Sequence, residues 1–243
     1  MKLDKAIGRQ SAFFFAVFLC LAIVAFWPGY FGRLLGQVDP HLHRHGLSMT
    51  LWLVMLISQA ILIRKKQYAI HRLVGKASLI VAPWVVYAAL DLVHFRFYRI
   101  QQFGPESMYA LALMTNAMLA FAILYVLAMA FKSQPMIHAR YMVCTVLPLV
   151  SPVTDRLIYQ FFPSLVSSAP VIGRAPIVPF YGFVIADLIV IGLIFWDGFA
   201  HKKWNVFPIV LLILLAYHWS VFNLYQFQFW ESFGWWFVSL PLE

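Results

Sequence analysis

Charged residues and cysteines are scarce in this chain of 243 residues. Only 11% of the residues are Asp, Glu, Lys or Arg, whereas 63% are hydrophobic. The two cysteines, Cys20 and Cys144, form neither a Cys-x-x-Cys heme-attachment motif nor a zinc-binding pattern. The low charge therefore leaves no room for a separate soluble domain, and the cysteines are predicted to be small packing residues without a disulfide.

The chain instead carries about seven apolar runs, each long enough to span a bilayer as a helix. Lipid offers no hydrogen-bond partner to an exposed backbone, and the runs lack the alternating polarity of a transmembrane barrel. We therefore expect an all-α, polytopic membrane helix bundle that forms a single domain over residues 1–243. The predicted spans are residues 12–30, 40–63, 77–95, 107–131, 141–162, 177–199 and 206–225.

Basic residues are concentrated in alternate connections of this predicted bundle. Lys and Arg cluster before the first span and between the second and third, the fourth and fifth, and the sixth and seventh spans. These segments share one side, which the positive-inside rule makes cytoplasmic. The amino terminus is predicted inside and the carboxyl terminus outside, in a bacterial inner membrane. The net charge of +9 then reflects topology and anionic lipid, not nucleic acid.

Three histidines, His41, His43 and His45, stand directly before the second span. The preceding Asp39-Pro40 has the form of an N-cap followed by proline at the first helical position, so the helix is predicted to include the histidines. Helical spacing then places His41 and His45 on one face and turns His43 away. The same face carries Ser48 and Trp52.

Further ionisable residues fall in the outer half of the predicted bundle. Asp91 and His94 are three residues apart and share a helix face, and a carboxylate that accepts the second imidazole proton fixes a ligand histidine's tautomer. His218 is a lone histidine within the seventh span. Asp155 and Arg156 form either an intramembrane ion pair or part of a proton path. Solvated histidines at the interface remain the structural alternative.

Four other residues complete the set of unusual side chains. Asp187 lies in the middle of the sixth span with no cation near it in sequence, so a structural role is harder to assign to it. His71, His138 and His201 lie among the cations of the cytoplasmic side. There they are expected to be interfacial or to anchor lipid phosphate, with a second site as the alternative.

Two resemblances follow from these residues. His45, Gln59, His71-Arg72-Leu73-Val74-Gly75 and His138-Ala139-Arg140-Tyr141-Met142 resemble the pattern of an uncharacterised family of bacterial polytopic membrane proteins, over about the middle 100 residues. That resemblance implies no activity. In addition, His45-Gly46-Leu47-Ser48-Met49 is similar to the heme-ligand helix of heme-copper oxidases. It implies that His45 is an axial iron ligand and that Gly46 lets the macrocycle approach.

Our first functional hypothesis is a redox protein that binds b-type heme, or histidine-ligated Fe, Cu or Zn, near the outer, periplasmic surface. In the heme version His45 and either His94 or His218 hold the iron. Asp91 would orient a ligand and Asp155 would exchange protons, with quinone or lipid as the substrate. The candidate metal ligands are His41, His45, His94 and His218.

Two hypotheses from other classes remain open. In a zinc-dependent hydrolase of lipid amides or esters, His41, His45 and His94 would leave a fourth position for water, with Asp91 or Asp155 as base. The other is a non-enzymatic accessory subunit of a larger membrane complex, or a small proton-coupled transporter in which the buried Asp155, Arg156, Asp187 and His218 line a proton or substrate path. The aromatic residues 226–236 are predicted to lie at the outer interface, as a short amphipathic helix over the site.

Overall fold

The chain folds into a bundle of α-helices, as the apolar runs predict. The computed structural model describes residues 3–36, 39–202 and 204–242, with side chains from residue 10 onward except that of His201. The α-helices are α1 Leu3–Ala25, α2 Pro40–Arg64, α3 Tyr68–Phe97, α4 Pro105–Ala130, α5 Pro135–Cys144, α6 Val150–Phe161, α7 Pro179–His201, α8 Phe207–Asn223 and α9 Gln228–Val238.

Six segments of the described chain are long and apolar enough to cross a membrane, and α1 adds a shorter apolar stretch, Gln10–Ala25. The six are Pro40–Arg64, Tyr68–Phe97, Pro105–Ala130, Pro135–Phe161, Pro179–Ala200 and Phe207–Gln226. Large apolar side chains such as Ile80, Val126, Leu188 and Leu212 point out of the bundle. Apolar surface on this scale requires lipid around it, so the protein is a multi-pass membrane protein.

Helix α4 is the centre of the bundle. Leu124 and Ala128 pack with residues of α5, α7 and α8, whereas Phe121 packs against Trp52 of α2. Nearer the start of the helix, Leu111 contacts the cluster that holds α9. Because the four larger apolar clusters each include residues of α4, most of the other helices are positioned relative to it.

The fifth predicted span differs from the observed structure. It begins at Pro135, not near residue 141, and it is broken into α5 and α6 by a 3-10 turn, Leu147–Leu149. Pro148 lies in that turn and Pro152 follows in the first turn of α6. A proline lacks the backbone N–H that would continue the hydrogen bonds of a helix, so the two prolines explain the break.

Helix α3 also begins earlier than the apolar run indicates. Residues 65–67 form a short turn with Lys66 at φ 58°, and α3 starts at Tyr68. Arg72 and Lys76 therefore lie on the first turns of a helix and not in a loop. The hydropathy pattern locates the lipid-facing part of a helix, whereas the backbone hydrogen bonds continue into the headgroup region.

The helices run antiparallel, so the connections form two groups. We call the group with the turn at residues 65–67, Lys132 and Lys202 the basic end. The opposite end holds Asp39, the 3-10 helix Pro163–Ser168, α9 and a small hairpin. In the hairpin, Val171–Ile172 pairs antiparallel with Ala175–Pro176. Gly173 turns it at φ 61°, and the N–H of Arg174 donates to Oε1 of Glu106 at 2.8 Å.

Candidate functional site

The start of α2 fixes the position of the histidine cluster. Oδ1 of Asp39 accepts hydrogen bonds from the backbone N–H groups of His41 at 2.9 Å and Leu42 at 3.2 Å. Pro40 occupies the first helical position, where its missing N–H costs nothing. The predicted N-cap and proline are both confirmed, and all three histidines lie on the helix.

His41 lies in a charged network between α2 and α3. Its Nδ1 is 2.9 Å from Oδ2 of Asp91, which also accepts from Nε and Nη2 of Arg44 at 3.1 and 2.8 Å. The His41 ring stacks on Phe95 with centroids 4.2 Å apart. The side chain of Asp91 is only 1% exposed, so this network buries a carboxylate with two partners.

The donors in this network can be assigned from chemistry. A carboxylate can only accept, so the Nδ1–H of His41 donates to Asp91. Nη2 of Arg44 also lies 2.9 Å from that Nδ1, but its hydrogen bonds go to the carboxylate. Asp91 therefore has its charge matched by Arg44, which makes it a poor free base. Arg44 was missed by the sequence argument, although it lies one helical turn after His41.

His43 turns away from this network, as helical spacing predicts. It contacts Tyr30, whose hydroxyl is 3.4 Å from Nδ1 of His43 and whose ring meets the imidazole edge to face. Burial raises the pKa of the Tyr30 phenol, which keeps the hydroxyl protonated. A Cβ on Gly46 would lie 2.4 Å from the Tyr30 ring. The ring therefore occupies the space that the oxidase resemblance assigns to a macrocycle.

His45 is one turn deeper on the same face as His41. Its Nδ1 is a buried nitrogen with no hydrogen-bond partner, and the hydroxyl of Ser48 donates to its carbonyl at 2.9 Å. Trp52, fully buried, meets the rings of Phe121 and Tyr125 edge to face. The predicted face of α2 is thus the interior face, and His45 brings an unsatisfied imidazole nitrogen into it.

His94 faces a different part of the bundle from Asp91. Its ring stacks on Tyr98 and meets Phe237 of α9 edge to face at 5.7 Å. Its Nε2 is buried without a hydrogen-bond partner. Within the described residues no hydrogen bond joins it to Asp91, which is engaged with α2. Helix α9 covers His94, in agreement with the short helix predicted for residues 226–236.

His218 and Asp187 form a pair between α7 and α8. Nδ1 of His218 is 3.2 Å from Oδ2 of Asp187, and the imidazole stacks on Phe183 with centroids 4.1 Å apart. The other carboxylate oxygen, Oδ1, is buried with no partner. One turn before Asp187, Gly182 lets α7 approach α6 so closely that a Cβ would lie 2.4 Å from the backbone of Ser151.

Asp155 and Arg156 form the ion pair that the sequence predicts as one of two roles. Nη1 of Arg156 donates to Oδ2 of Asp155. The side chain of Asp155 is 10% exposed and that of Arg156 is 45% exposed, so the arginine reaches outward from a buried carboxylate. No structural contact links this pair to a sequence-predicted histidine within the described residues.

The basic end holds its own buried polar contacts. Nη2 of Arg140, fully buried, donates to Oδ1 of Asp197 at 2.7 Å and so joins α5 to α7. The Nδ1–H of His138 donates to the carbonyl of Ala128 at 2.7 Å. Nε2 of Gln59 donates to the carbonyl of His71 at 3.2 Å. These contacts tie helix ends together, and they place His71 and His138 on helices and not in loops.

The predicted site residues thus occupy separate surroundings. His41 is with Asp91, His94 lies beneath α9, and His218 is with Asp187. In the parts of the chain that the structure describes, no three His, Cys, Asp or Glu side chains are grouped to hold a metal ion. The assignment of iron or zinc to these histidines stays a prediction. The Asp187–His218 pair, in contrast, brings into contact two of the four residues that the transporter hypothesis places along one path.

Comparisons with known proteins add no relative. No family model matches the chain, and neither a curated protein nor a solved structure matches it.

Proposed function

We propose that this protein moves protons through the membrane interior and that Asp187 and His218 are its proton-binding pair. The observation that carries the proposal is the 3.2 Å contact between Nδ1 of His218 and Oδ2 of Asp187 across two membrane helices. Asp187 is about 12 Å along α7 and His218 about 16 Å along α8, at a rise of 1.5 Å per residue. Since those helices start at opposite ends, both distances place the pair near the middle of a core roughly 30 Å thick.

The free-energy cost of placing an ionisable pair inside the membrane supports a functional role for that pair. Ionisable groups at this depth are expensive and usually mark proton relays or substrate paths. A carboxylate and a neutral imidazole carry one negative charge, and one added proton makes the pair neutral whichever group holds it, so the pair can bind a proton without acquiring a net charge. The unpartnered Oδ1 of Asp187 offers an acceptor atom for that proton.

Two other features are consistent with proton movement. The His41–Asp91–Arg44 network lies at the opposite end and offers an exit through the imidazole of His41, which Asp91 orients. Helix α8, which carries His218, is also joined to α4 by a polar contact in which Nδ2 of Asn116 donates to Oγ of Ser220 at 2.9 Å. Asp155, predicted as a proton-exchange carboxylate, is paired with Arg156 and would serve as a secondary group.

The test is proton flux into vesicles that contain the purified protein and a trapped pH-sensitive dye, driven by a potassium diffusion potential. We expect Asp187→Asn and His218→Gln each to reduce the flux at least about tenfold, the scale at which a positioned proton-transfer group acts. His43→Gln is the matched control, because it removes an imidazole that faces Tyr30. Equal flux in all four proteins, or a loss in His43→Gln as large as in the others, contradicts the proposal.

A second candidate function is heme or metal binding at His45 and His94. It is supported by the buried Nδ1 of His45 and the buried Nε2 of His94, each without a hydrogen-bond partner. A heme held there would supply electron transfer. The Tyr30 ring against Gly46 does not fit the approach implied by the oxidase resemblance. The absorption spectrum and metal content of protein from native membranes decide it, with His45→Gln expected to remove any Soret band or bound metal.

A further inference from the structure

A small cavity opens at the opposite end of the bundle, between the start of α4 and the break that separates α8 from α9. Its volume is about 270 Å³. Pockets that take drug-sized molecules measure roughly 300–1,000 Å³, so the occupant is smaller than those. The lining includes Phe103, Met108, Tyr225, Phe227, Gln228 and Glu231.

The lining combines aromatic rings with one carboxylate. Phe103, Tyr225 and Phe227 provide π-systems, which attract cations through their quadrupoles. Glu231 adds a formal negative charge to the same wall. Within the described residues no basic side chain pairs with Glu231, whose contact is a 3.4 Å hydrogen bond from Nε1 of Trp235. The charge of Glu231 is therefore available to a ligand.

The N-terminus of α4, beside the cavity, does not reverse the preference of the cavity for a cation. A helix N-terminus favours anions, and Gly104 at the cap of α4 lines the cavity. However, Glu106 in the first turn offsets the partial charge, and the cap N–H of Gly104 donates to Ser107 at 2.9 Å. Glu106 itself is engaged by the N–H of Arg174. The uncompensated charge at the cavity is that of Glu231.

We propose that this cavity binds a small organic cation with an alkylated ammonium group, beyond the movement of protons by Asp187 and His218. Methyl groups on nitrogen suit three aromatic side chains and a methionine, because they are weakly hydrated and lose little on leaving water. A hydrated metal ion would need several oxygen ligands, and the cavity offers one carboxylate. The trimethylammonium group belongs both to free choline-type solutes and to lipid headgroups.

The test is calorimetric titration of the full-length protein, purified in a maltoside detergent, with choline and with glycerophosphocholine. The neutral carbon analogue 3,3-dimethylbutan-1-ol is titrated in parallel. We expect choline to bind at least about tenfold more tightly than the neutral analogue, which corresponds to about 1.4 kcal/mol. Tighter binding of glycerophosphocholine would assign the site to a lipid headgroup, and tighter binding of choline to a free solute; both support the ammonium chemistry.

Two variants and a control connect the binding to this cavity. Glu231→Gln and Phe227→Leu should each weaken choline binding about tenfold, and both residues are exposed, so the fold should survive. Glu106→Gln is the control, because it removes an equal charge at the same end from a carboxylate that is engaged with the hairpin. We expect the Glu106→Gln variant to bind choline as tightly as the wild type. Equal binding of choline and its neutral analogue, an equal effect of Glu231→Gln and Glu106→Gln, or no binding by the folded wild type overturns the proposal. Unchanged melting temperatures of the unliganded variants verify folding.

Discussion

At the scale of single residues, the polar atoms of the interior differ in how they are satisfied. Asp91 receives three charge-assisted hydrogen bonds, whereas Nδ1 of His45, Nε2 of His94 and Oδ1 of Asp187 receive none. A buried polar atom without a partner costs on the order of 1–3 kcal/mol and calls for a functional explanation. Asp91 therefore holds α2 against α3, and we propose that the three unpartnered atoms are where a proton or a ligand binds.

Gly46 offers a test of packing at the histidine cluster. We expect Gly46→Ala to destabilise the protein by about 1–3 kcal/mol, because the new Cβ would lie 2.4 Å from the Tyr30 ring and force it to move. Gly192→Ala is the matched control, since nothing lies within 4 Å of its added Cβ. Thermal unfolding in detergent measures both. Equal melting temperatures of the two variants would show that Tyr30 does not pack on α2 in this way.

At the scale of helices and their connections, two interruptions shape the bundle, one in the middle of a membrane span and one at the opposite end. Pro148 and Pro152 divide one membrane span into α5 and α6. A 3-10 turn, Leu224–Gln226, ends α8 and allows α9 to return across the bundle. There α9 places Trp230 and Phe237 against residues of α3 and α4. The helix that lies over His94 is therefore held by its own apolar side, while its other side remains exposed.

The attachment of α9 depends on Trp230. Its side chain is 7% exposed, and Nε1 donates to the carbonyl of Met108 at 3.1 Å. We expect Trp230→Ala to cost about 3–5 kcal/mol and to release α9, which hydrogen exchange of residues 228–238 would detect. Trp236→Ala provides the comparison, because Trp236 is 55% exposed and should leave α9 in place. Similar exchange in the two variants would mean that Trp230 does not anchor the helix.

At the scale of the whole molecule, charge divides the bundle along its axis. The turn at residues 65–67, Lys132 and Lys202 lie together at the basic end, whereas Glu106 and Glu231 lie at the opposite end. Six apolar segments connect the two ends. The positive-inside rule therefore predicts that the basic end faces the cytoplasm and that the candidate cation cavity and the His41 network lie on the far side.

Labelling with a membrane-impermeant maleimide tests this orientation. In a protein whose Cys20 and Cys144 are replaced by serine, we expect Ser167→Cys to be labelled in intact cells and Ser133→Cys only after the cells are opened. Both serines are exposed, Ser133 in the turn between α4 and α5 and Ser167 in the 3-10 helix after α6. The parent without cysteines gives the background. Labelling of Ser133→Cys alone in intact cells would reverse the orientation.

The sequence by itself determined the solvent and the class of fold. The apolar runs are long enough to cross a membrane, where no water can form hydrogen bonds with the backbone. Helices satisfy those backbone groups internally, so the sequence predicts a helix bundle. Local patterns also determined local features, such as the N-cap at Asp39 and the opposite directions of His41 and His43, because both depend only on helical spacing.

The partners of those residues were decided by tertiary structure. His218 follows Asp187 by 31 residues, and Asp91 follows Arg44 by 47, so no pattern along the chain connects them. Which helix face meets which neighbour depends on side-chain packing around α4 and on close approaches such as that of Gly182 to α6. Read along the chain, the histidines predict one ligand set. Packing instead distributes the candidate ligands among three surroundings and joins Asp187 to His218.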